Sequence, residues 1–252
     1  MPDTRPYVLS IAGIDPSGGA GIFADIKTFE QHRVYGFGVC SALTVQNDTD
    51  FLQVQWLGAR EIIKQLEPLV TKFKISSCKI GIVQELDVLL DVMLYLKSRQ
   101  PHLQIILDPV LKASAGFAFH GILEDEKLTA VLREITLLTP NYNEIQQLNG
   151  DLSPKEAAKA LAKHCAVLLK GGHNPEAPGT DYFFASDSCI TLKPTLSNVS
   201  PKHGSGCVLS ASVAANLALG HTLPEACRRG KRYTELFLSS NNTLFGYHNY
   251  DS

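Results

Sequence analysis

Tyr7-Val8-Leu9-Ser10-Ile11-Ala12 runs into Gly13-Ile14-Asp15-Pro16-Ser17-Gly18-Gly19-Ala20-Gly21 and then into a segment carrying Asp25 and reaching about His32. This stretch decides the fold. Its first six residues form a short, nearly continuous apolar run, the mark of a buried strand. The glycines make a tight turn, and the segment after them reads as a helix. Strand, turn and helix in this order begin a parallel α/β architecture.

The same rhythm recurs outward from there. Residues 39–45 read as a strand and 59–73 as a helix with Ile62, Ile63, Leu66 and Val70 at helical spacing. Residues 77–82, 105–110, 136–139 and 166–170 read as further strands, with helices over 86–96, 126–134, 143–148 and 154–163. Ser153 is a helix cap ahead of Pro154 in the first turn. The rhythm then changes, because 181–185 and 189–193 flank a Ser-Asp-Ser turn as an antiparallel hairpin. A Gly-Ser-Gly turn, a small-residue helix over about 207–219 and a last helix over 224–238 follow. The expected fold is α/β, with a mainly parallel central sheet, helices on both faces and a small antiparallel margin. No repeat or long linker interrupts the pattern, so residues 1–252 are expected to form one domain.

Composition narrows the function classes. At 252 residues, 44% hydrophobic and 19% charged, the chain is an ordinary globule rather than a disordered or fibrous one. Its 23 basic and 25 acidic residues leave a net charge of −2, which asks for neither nucleic acid nor an anionic membrane as partner. Asp15 interrupts the first apolar run, so no secretory leader is read, and 208–219 is too short and polar to span a bilayer. The six cysteines show no CxxC or metal-type spacing, which fits reduced thiols in the cytoplasm.

Ligands in open α/β sheets bind at the carboxyl ends of strands, and several polar clusters fall there. Residues 13–21 match neither GxGxxG nor GxxxxGK[ST]; they are an anion-binding turn or simply a tight strand-to-helix connection. In Pro201-Lys202-His203-Gly204-Ser205-Gly206-Cys207 a glycine turn opens a helix, a cradle for an oxyanion or phosphate. Cys207 in that first turn is either a thiolate base favoured by the helix end, with Lys202 and His203 near, or a small buried hydrophobe. Asp108-Pro109-Val110, Thr139-Pro140-Asn141 with Glu144, and Lys170-Gly171-Gly172-His173 supply carboxylates suited to Mg²⁺ and a lysine suited to phosphate. Phosphoryl transfer needs these parts together: an anion cradle, a metal-directing carboxylate and a base on the acceptor.

Taken together, these motifs resemble the hydroxymethylpyrimidine/phosphomethylpyrimidine kinases of thiamin biosynthesis, within the ribokinase-like superfamily. The resemblance spans nearly the whole chain and adds Ala24-Asp25-Ile26-Lys27-Thr28, Gln46-Asn47 and Lys79-Ile80-Gly81 to the clusters above. It implies ATP and Mg²⁺ as cofactors, a small aminopyrimidine as substrate, and a homodimer. It also implies roles for individual residues. Gly13, Ala20, Asp25 and Gln46 would hold the pyrimidine, with Ile82 and Val110 lining its pocket. Gly204, Ser205, Gly206 and the Cys207 N–H would form the anion hole, and Cys207 would act as base. Asn141, Glu144 and Lys170 would serve ATP, and Asp108 and Glu144 the metal.

This chain departs from the family pattern in places. Ser205 stands where the family usually has threonine, Lys202 adds a cation beside the phosphate path, Asp48 follows Gln46-Asn47, and Ala115-Gly116 with Lys112 replaces a Ser-Gly. Two rival functions are a pyridoxal/pyridoxine kinase, which modifies a similar heterocycle, and a non-catalytic pyrimidine-binding regulator.

Overall fold

The computed structural model describes residues 4–109, 126–148 and 152–248. From β1 (Tyr7–Ile14), the chain passes through α1 (Gly21–Gln31) to β2 (Tyr35–Gln46) and turns back along β3 (Phe51–Trp56). It continues through α2 (Ala59–Lys72), β4 (Ile75–Ile80), α3 (Leu86–Arg99) and β5 (Gln104–Leu107). Next come α4 (Glu126–Glu134), β6 (Leu137–Leu138), α5 (Tyr142–Leu148), α6 (Pro154–Leu161) and β7 (Ala166–Leu169). The hairpin of β8 (Asp181–Ala185) and β9 (Ser188–Leu192) leads to α7 (Ser205–Ala218) and α8 (Leu223–Ser239).

The nine strands form one sheet in the order β3-β2-β1-β4-β5-β6-β7-β8-β9. Strands β2, β1, β4, β5, β6 and β7, in that spatial order, pair in parallel, as the strand–helix rhythm predicts. The small antiparallel part is split between the two edges, with β3 at one end of the sheet and β8–β9 at the other. The β3 edge is absent from the sequence reading. Its Leu52, Val54 and Trp56 alternate with Gln53 and Gln55 after the turn-forming Asn47-Asp48-Thr49-Asp50, a two-residue period that is its signal.

Side-chain alternation along β1 assigns the two layers. Leu9 and Ile11 join one core with Ile62 and Leu66 of α2 and with Val92, Met93 and Leu96 of α3. Val8 joins the other, with Phe29 of α1 and Val213 and Ala214 of α7. Helix α7 is unusual in burying every residue from Val208 to Leu217. Its alanines and serines let it lie close to the sheet, and the Ser77 hydroxyl of β4 donates to the Ala214 carbonyl at 2.7 Å. Helix α6 starts as predicted: Ser153 and Glu156 cap each other reciprocally behind Pro154. Helix α7 starts two residues earlier than expected, at Ser205, because Gly204 alone makes the turn in the left-handed region at φ 75°.

The α1–α7–α8 layer also buries an ionisable group. His32 is 6% exposed, takes its Nε2 contact from Ser212 Oγ at 2.7 Å, and lies 4.6 Å from the Tyr233 ring. Burial, helped by Arg229, lowers its pKa to about 4. The folded protein therefore holds His32 neutral while the unfolded chain takes a proton below its ordinary value near 6.5. Stability should be flat above that pH and fall as pH drops from 6.5 toward 4, by about 2 kcal/mol at pH 5. Urea midpoints at pH 7.5 and 5.0 should show this slope in the parent and a shallower one in His32→Gln.

Candidate active site

The sheet changes winding direction between β1 and β4, which are neighbours although β2 follows β1 in the chain. A cleft of about 510 Å³ lies at the carboxyl ends of these strands, where such folds place ligands. Two glycine-rich segments build its floor.

Asp15, just past β1, organises both segments. Its carboxylate accepts from Ser17 N (2.9 Å), Ser17 Oγ (2.9 Å) and Ala20 N (2.8 Å), which shapes the 15–20 loop. His203 Nε2 meets the same carboxylate at 2.8 Å, tying in the loop ahead of α7. Burial opposes ionisation, but these hydrogen bonds outweigh it and hold the Asp15 carboxyl below its ordinary range. The loops touch backbone to backbone: a Cβ on Gly204 would sit 2.0 Å from the Gly19 carbonyl oxygen. Beyond Gly204, Val208 N makes the first bond of the α7 ladder, to Gly204 O. Among the described residues nothing accepts from the Gly206 and Cys207 N–H groups, and both residues line the cleft.

Cys207 sits where the two segments meet, with the Gly21 N–H near its sulfur. The environment does not lower the thiol's pKa as the helix terminus alone predicts. Burial raises it, the Asp25 and Asp108 carboxylates add to that, and the Lys79 ammonium only partly opposes them. Lys202, expected beside the phosphate path, is buried and turned away; its Nζ donates to the Asn241 carbonyl at 2.6 Å.

The expected pyrimidine residues divide. Gly13, Ala20, Gln46 and Ile82 all line the cleft. Gln46 Nε2 donates to Thr44 Oγ1 at 2.9 Å, which fixes the amide and leaves its carbonyl oxygen to accept from a ligand. Asp25 is the correction: it is fully buried and absent from the lining. Its carboxylate accepts from Ser10 Oγ at 2.5 Å and from Lys79 Nζ at 2.9 and 3.0 Å. The residue at the cleft is Lys79, and Asp25 acts by holding it. Burial works against the Lys79 charge, but Asp25, Cys207 and Asp108 outweigh it and keep the ammonium charged. Val110, with Lys112 and Ala115-Gly116, lies outside the described residues.

Deeper along the cleft, Lys170 Nζ bridges Asp108 Oδ1 at 2.7 Å and Glu144 Oε2 at 3.6 Å. It also lies under the α7 terminus, since a Cβ on Gly206 would be 3.3 Å from its Nζ. Asp108 further accepts from Thr139 Oγ1 and Ser210 Oγ, both at 3.2 Å. Burial of Asp108 is outweighed by Lys170 and Lys79, which hold it ionised, whereas burial and the Asp108 charge push Glu144 up. Asn141 caps α5 through its side chain, accepting from Asn143 N and Glu144 N at 2.9 Å, while its own N–H donates to Glu144 Oε2 at 2.6 Å. No cluster of three or more candidate metal ligands occurs among the described residues. The donor set here is two carboxylates bridged by a lysine. It fits Mg²⁺ held chiefly through water and phosphate oxygens, with Glu144 Oε1 as the available protein oxygen.

The cleft also uses residues that motif reading misses. The 47–51 turn between β2 and β3 closes one end, and Asp181, Lys231, Thr234 and Glu235 line the other. The last three sit on α8 at i, i+3 and i+4, a polar stripe that looks like an ordinary solvated helix face.

A doubly covered α/β sheet with a glycine-opened helix aimed at a lysine-and-carboxylate cleft defines a ribokinase-like small-molecule kinase. The solved structure of a Bacillus subtilis pyridoxal kinase in an ADP complex superposes with a TM-score of 0.82 at 26% identity, covering 94% of this chain and 93% of that one. A phosphomethylpyrimidine kinase from Clostridium difficile 630 does so with a TM-score of 0.72 at 27% identity, covering 90% and 98%. Residues 15–250 match the family model described as phosphomethylpyrimidine kinase, and this chain belongs to that family. A hydroxymethylpyrimidine/phosphomethylpyrimidine kinase from Haemophilus influenzae is 34% identical over 247 residues, 92% of this chain and 90% of the relative.

The contact between the loops sets up a matched test. Gly204 and Gly220 both have strongly positive φ, 75° and 87°, but a Cβ at Gly220 meets nothing within 4 Å. Alanine at either site should cost about 1–2 kcal/mol in left-handed strain. Only Gly204→Ala must also push the Gly19 carbonyl aside, and it should lower phosphotransfer about 10²-fold. Melting curves and steady-state rates on both variants check this.

Proposed function

We propose that this chain transfers the γ-phosphoryl group of ATP to the hydroxymethyl oxygen of 4-amino-5-hydroxymethyl-2-methylpyrimidine, and then phosphorylates the monophosphate, in thiamin biosynthesis. The observation that carries this reading is the position of Cys207. Its sulfur adjoins the pocket of Gly13, Ala20, Gln46 and Ile82 while its N–H belongs to the anion cradle. A flat aminopyrimidine seated there turns its hydroxymethyl arm toward the sulfur, and the Gln46 carbonyl accepts from the amino group.

The acceptor oxygen forms a bond to the γ-phosphorus as the bond from that phosphorus to the β,γ-bridging oxygen breaks, and ADP departs. The hydroxyl proton goes to the Cys207 thiolate. Charge on the transferring group is met by the Gly206 and Cys207 N–H donors, with Ser205 on the same turn, and by Lys170. Asn141, Glu144 and Lys170 hold the nucleotide, whose base extends into the apolar lobe of Pro194, Leu196 and Leu238. Glu144 and Asp108 would hold Mg²⁺ through water, and the bound ion would supply charge neutralisation at the phosphates. Lys79, fixed by Asp25, favours the thiolate that burial disfavours.

The continuous sheet from β3 to β9 supports a single domain over residues 1–252. No described helix is long and apolar enough to cross a membrane. We place the enzyme in the cytoplasm as a homodimer, following the family expectation. Likeness to a pyridoxal kinase at 26% identity favours a second reading, activity on pyridoxal. ATP consumption with each substrate, side by side, decides between them. Turnover of the pyrimidine well above pyridoxal supports the main reading, and turnover of neither leaves only the regulator.

Cys207→Ala should lose about 10²–10⁴-fold in kcat with little change in ATP affinity, and Cys207→Asp should recover part of it. Because the parent thiol titrates above its ordinary range, the thiolate fraction rises with pH. The parent kcat should therefore climb with pH without levelling off below pH 9, and Cys207→Asp should remove that climb.

A further inference from the structure

Gln46 ends β2 in the wall of the cleft, and the buried Thr44 side chain lies beside it. The Thr44 hydroxyl donates to the carbonyl of Ile14, the last residue of β1, at 2.8 Å. A backbone carbonyl can only accept, so the single Thr44 proton is committed there and Oγ1 is left as an acceptor. The group that meets Oγ1 at 2.9 Å is therefore the Gln46 NH₂ and not its amide oxygen. The end of β1 thus sets the direction of the whole relay, from Gln46 Nε2 through Thr44 Oγ1 to Ile14 O. Among the described residues no hydrogen bond reaches Gln46 Oε1. That oxygen belongs to a half-buried side chain in the cleft lining and, unlike the enclosed Tyr95 and Tyr142 hydroxyls, is open to solvent.

We propose that Thr44 is a specificity-determining residue: by holding the Gln46 amide with its oxygen toward the cleft, it selects substrates that carry an N–H donor on the ring carbon next to the hydroxymethyl arm. This rests on the reading of the pocket as a pyrimidine site, in which the arm turns to Cys207 and the neighbouring substituent to Gln46. An untethered glutamine amide can turn over and offer NH₂ instead, so it meets an amine or a carbonyl equally well. Thr44 removes that choice. A carbonyl on the same carbon sets two acceptor oxygens against each other and leaves both without a donor. The aminopyrimidine is therefore favoured over its 4-oxo analogue, and over pyridoxal, which bears an aldehyde on the carbon next to its hydroxymethyl arm.

Calorimetric titration with 4-amino-5-hydroxymethyl-2-methylpyrimidine and its 4-oxo analogue tests this without turnover. The parent should bind the amine at least about tenfold more tightly, the factor expected when a hydrogen bond is lost and its acceptor left unpaired. Thr44→Val, which keeps the shape but frees the amide, should narrow the ratio to within about threefold, whereas Thr44→Ser should keep the parent ratio. Gln46→Glu has two acceptor oxygens and needs no orienting, so it should keep the preference both alone and combined with Thr44→Val. Equal parental affinities, a ratio unchanged in Thr44→Val, or a preference lost in Thr44→Ser would each overturn the proposal. So would a ratio that collapses in the double variant as it does in Thr44→Val, since Thr44 would then act through packing. Binding of neither pyrimidine would overturn both this assignment and the pyrimidine reading. The expected ratios without phosphoryl transfer would sink only the proposed reaction.

Discussion

The Asp15 carboxylate pins two glycine-rich segments that lie 188 residues apart in sequence, and the site depends on that clamp. One oxygen pair shapes the 15–20 loop through Ser17 and Ala20 and at the same time receives His203. Nothing larger than glycine fits at 204, because the Gly19 carbonyl occupies the space of a Cβ. The first turn of α7 is thereby delivered, with open N–H groups, against the end of β1. The C-terminal segment braces the clamp from behind: His203 N donates to Leu244 O, and Lys202 donates to Asn241 O. Lys202 thus serves as a structural tether, and the cation beside the α7 terminus is Lys170.

Charge is distributed under this cradle in two buried pairs. Lys79 with Asp25, and Lys170 with Asp108 and Glu144, bring two cations to the sulfur and to the α7 terminus without leaving either charge uncompensated. Such pairs contribute little net stability, so their place here is better understood as fixing two ammonium groups in a water-poor cleft. The small-residue sequence of α7 belongs to the same design, since only a helix of alanines and serines can lie close enough to β4 and β5 for Ser210 to reach Asp108.

Much of this was legible in the sequence. The strand–helix rhythm, the Ser153 cap and the hairpin at 181–192 all follow from local periodicity and turn chemistry, and the glycine clusters mark strand ends. What local pattern could not supply was the direction in which individual polar side chains point. Asp25 and Lys202 look like ligand-facing charges until their partners, Lys79 and the Asn241 carbonyl, are seen to come from distant segments. The thiol of Cys207 illustrates the same limit: a helix terminus can be read from residues, but burial and the carboxylates of Asp25 and Asp108 are tertiary facts. Glu235 was hidden for a related reason, because an acidic residue four positions after a lysine on a helix reads as a surface pair until the lobe closes around it.

The central claim is that the clamped α7 terminus receives the transferring phosphoryl group. The most direct measurement is the amide chemical shift of Gly206 and Cys207 in ¹⁵N-labelled protein, recorded free and with a non-hydrolysable ATP analogue plus the pyrimidine. Both amide protons should move downfield on formation of the ternary complex, as N–H groups do on acquiring a charged acceptor, and Asp15→Asn should blunt the shift. Saturating nucleotide that leaves both amides where they stand in the free protein would contradict the account.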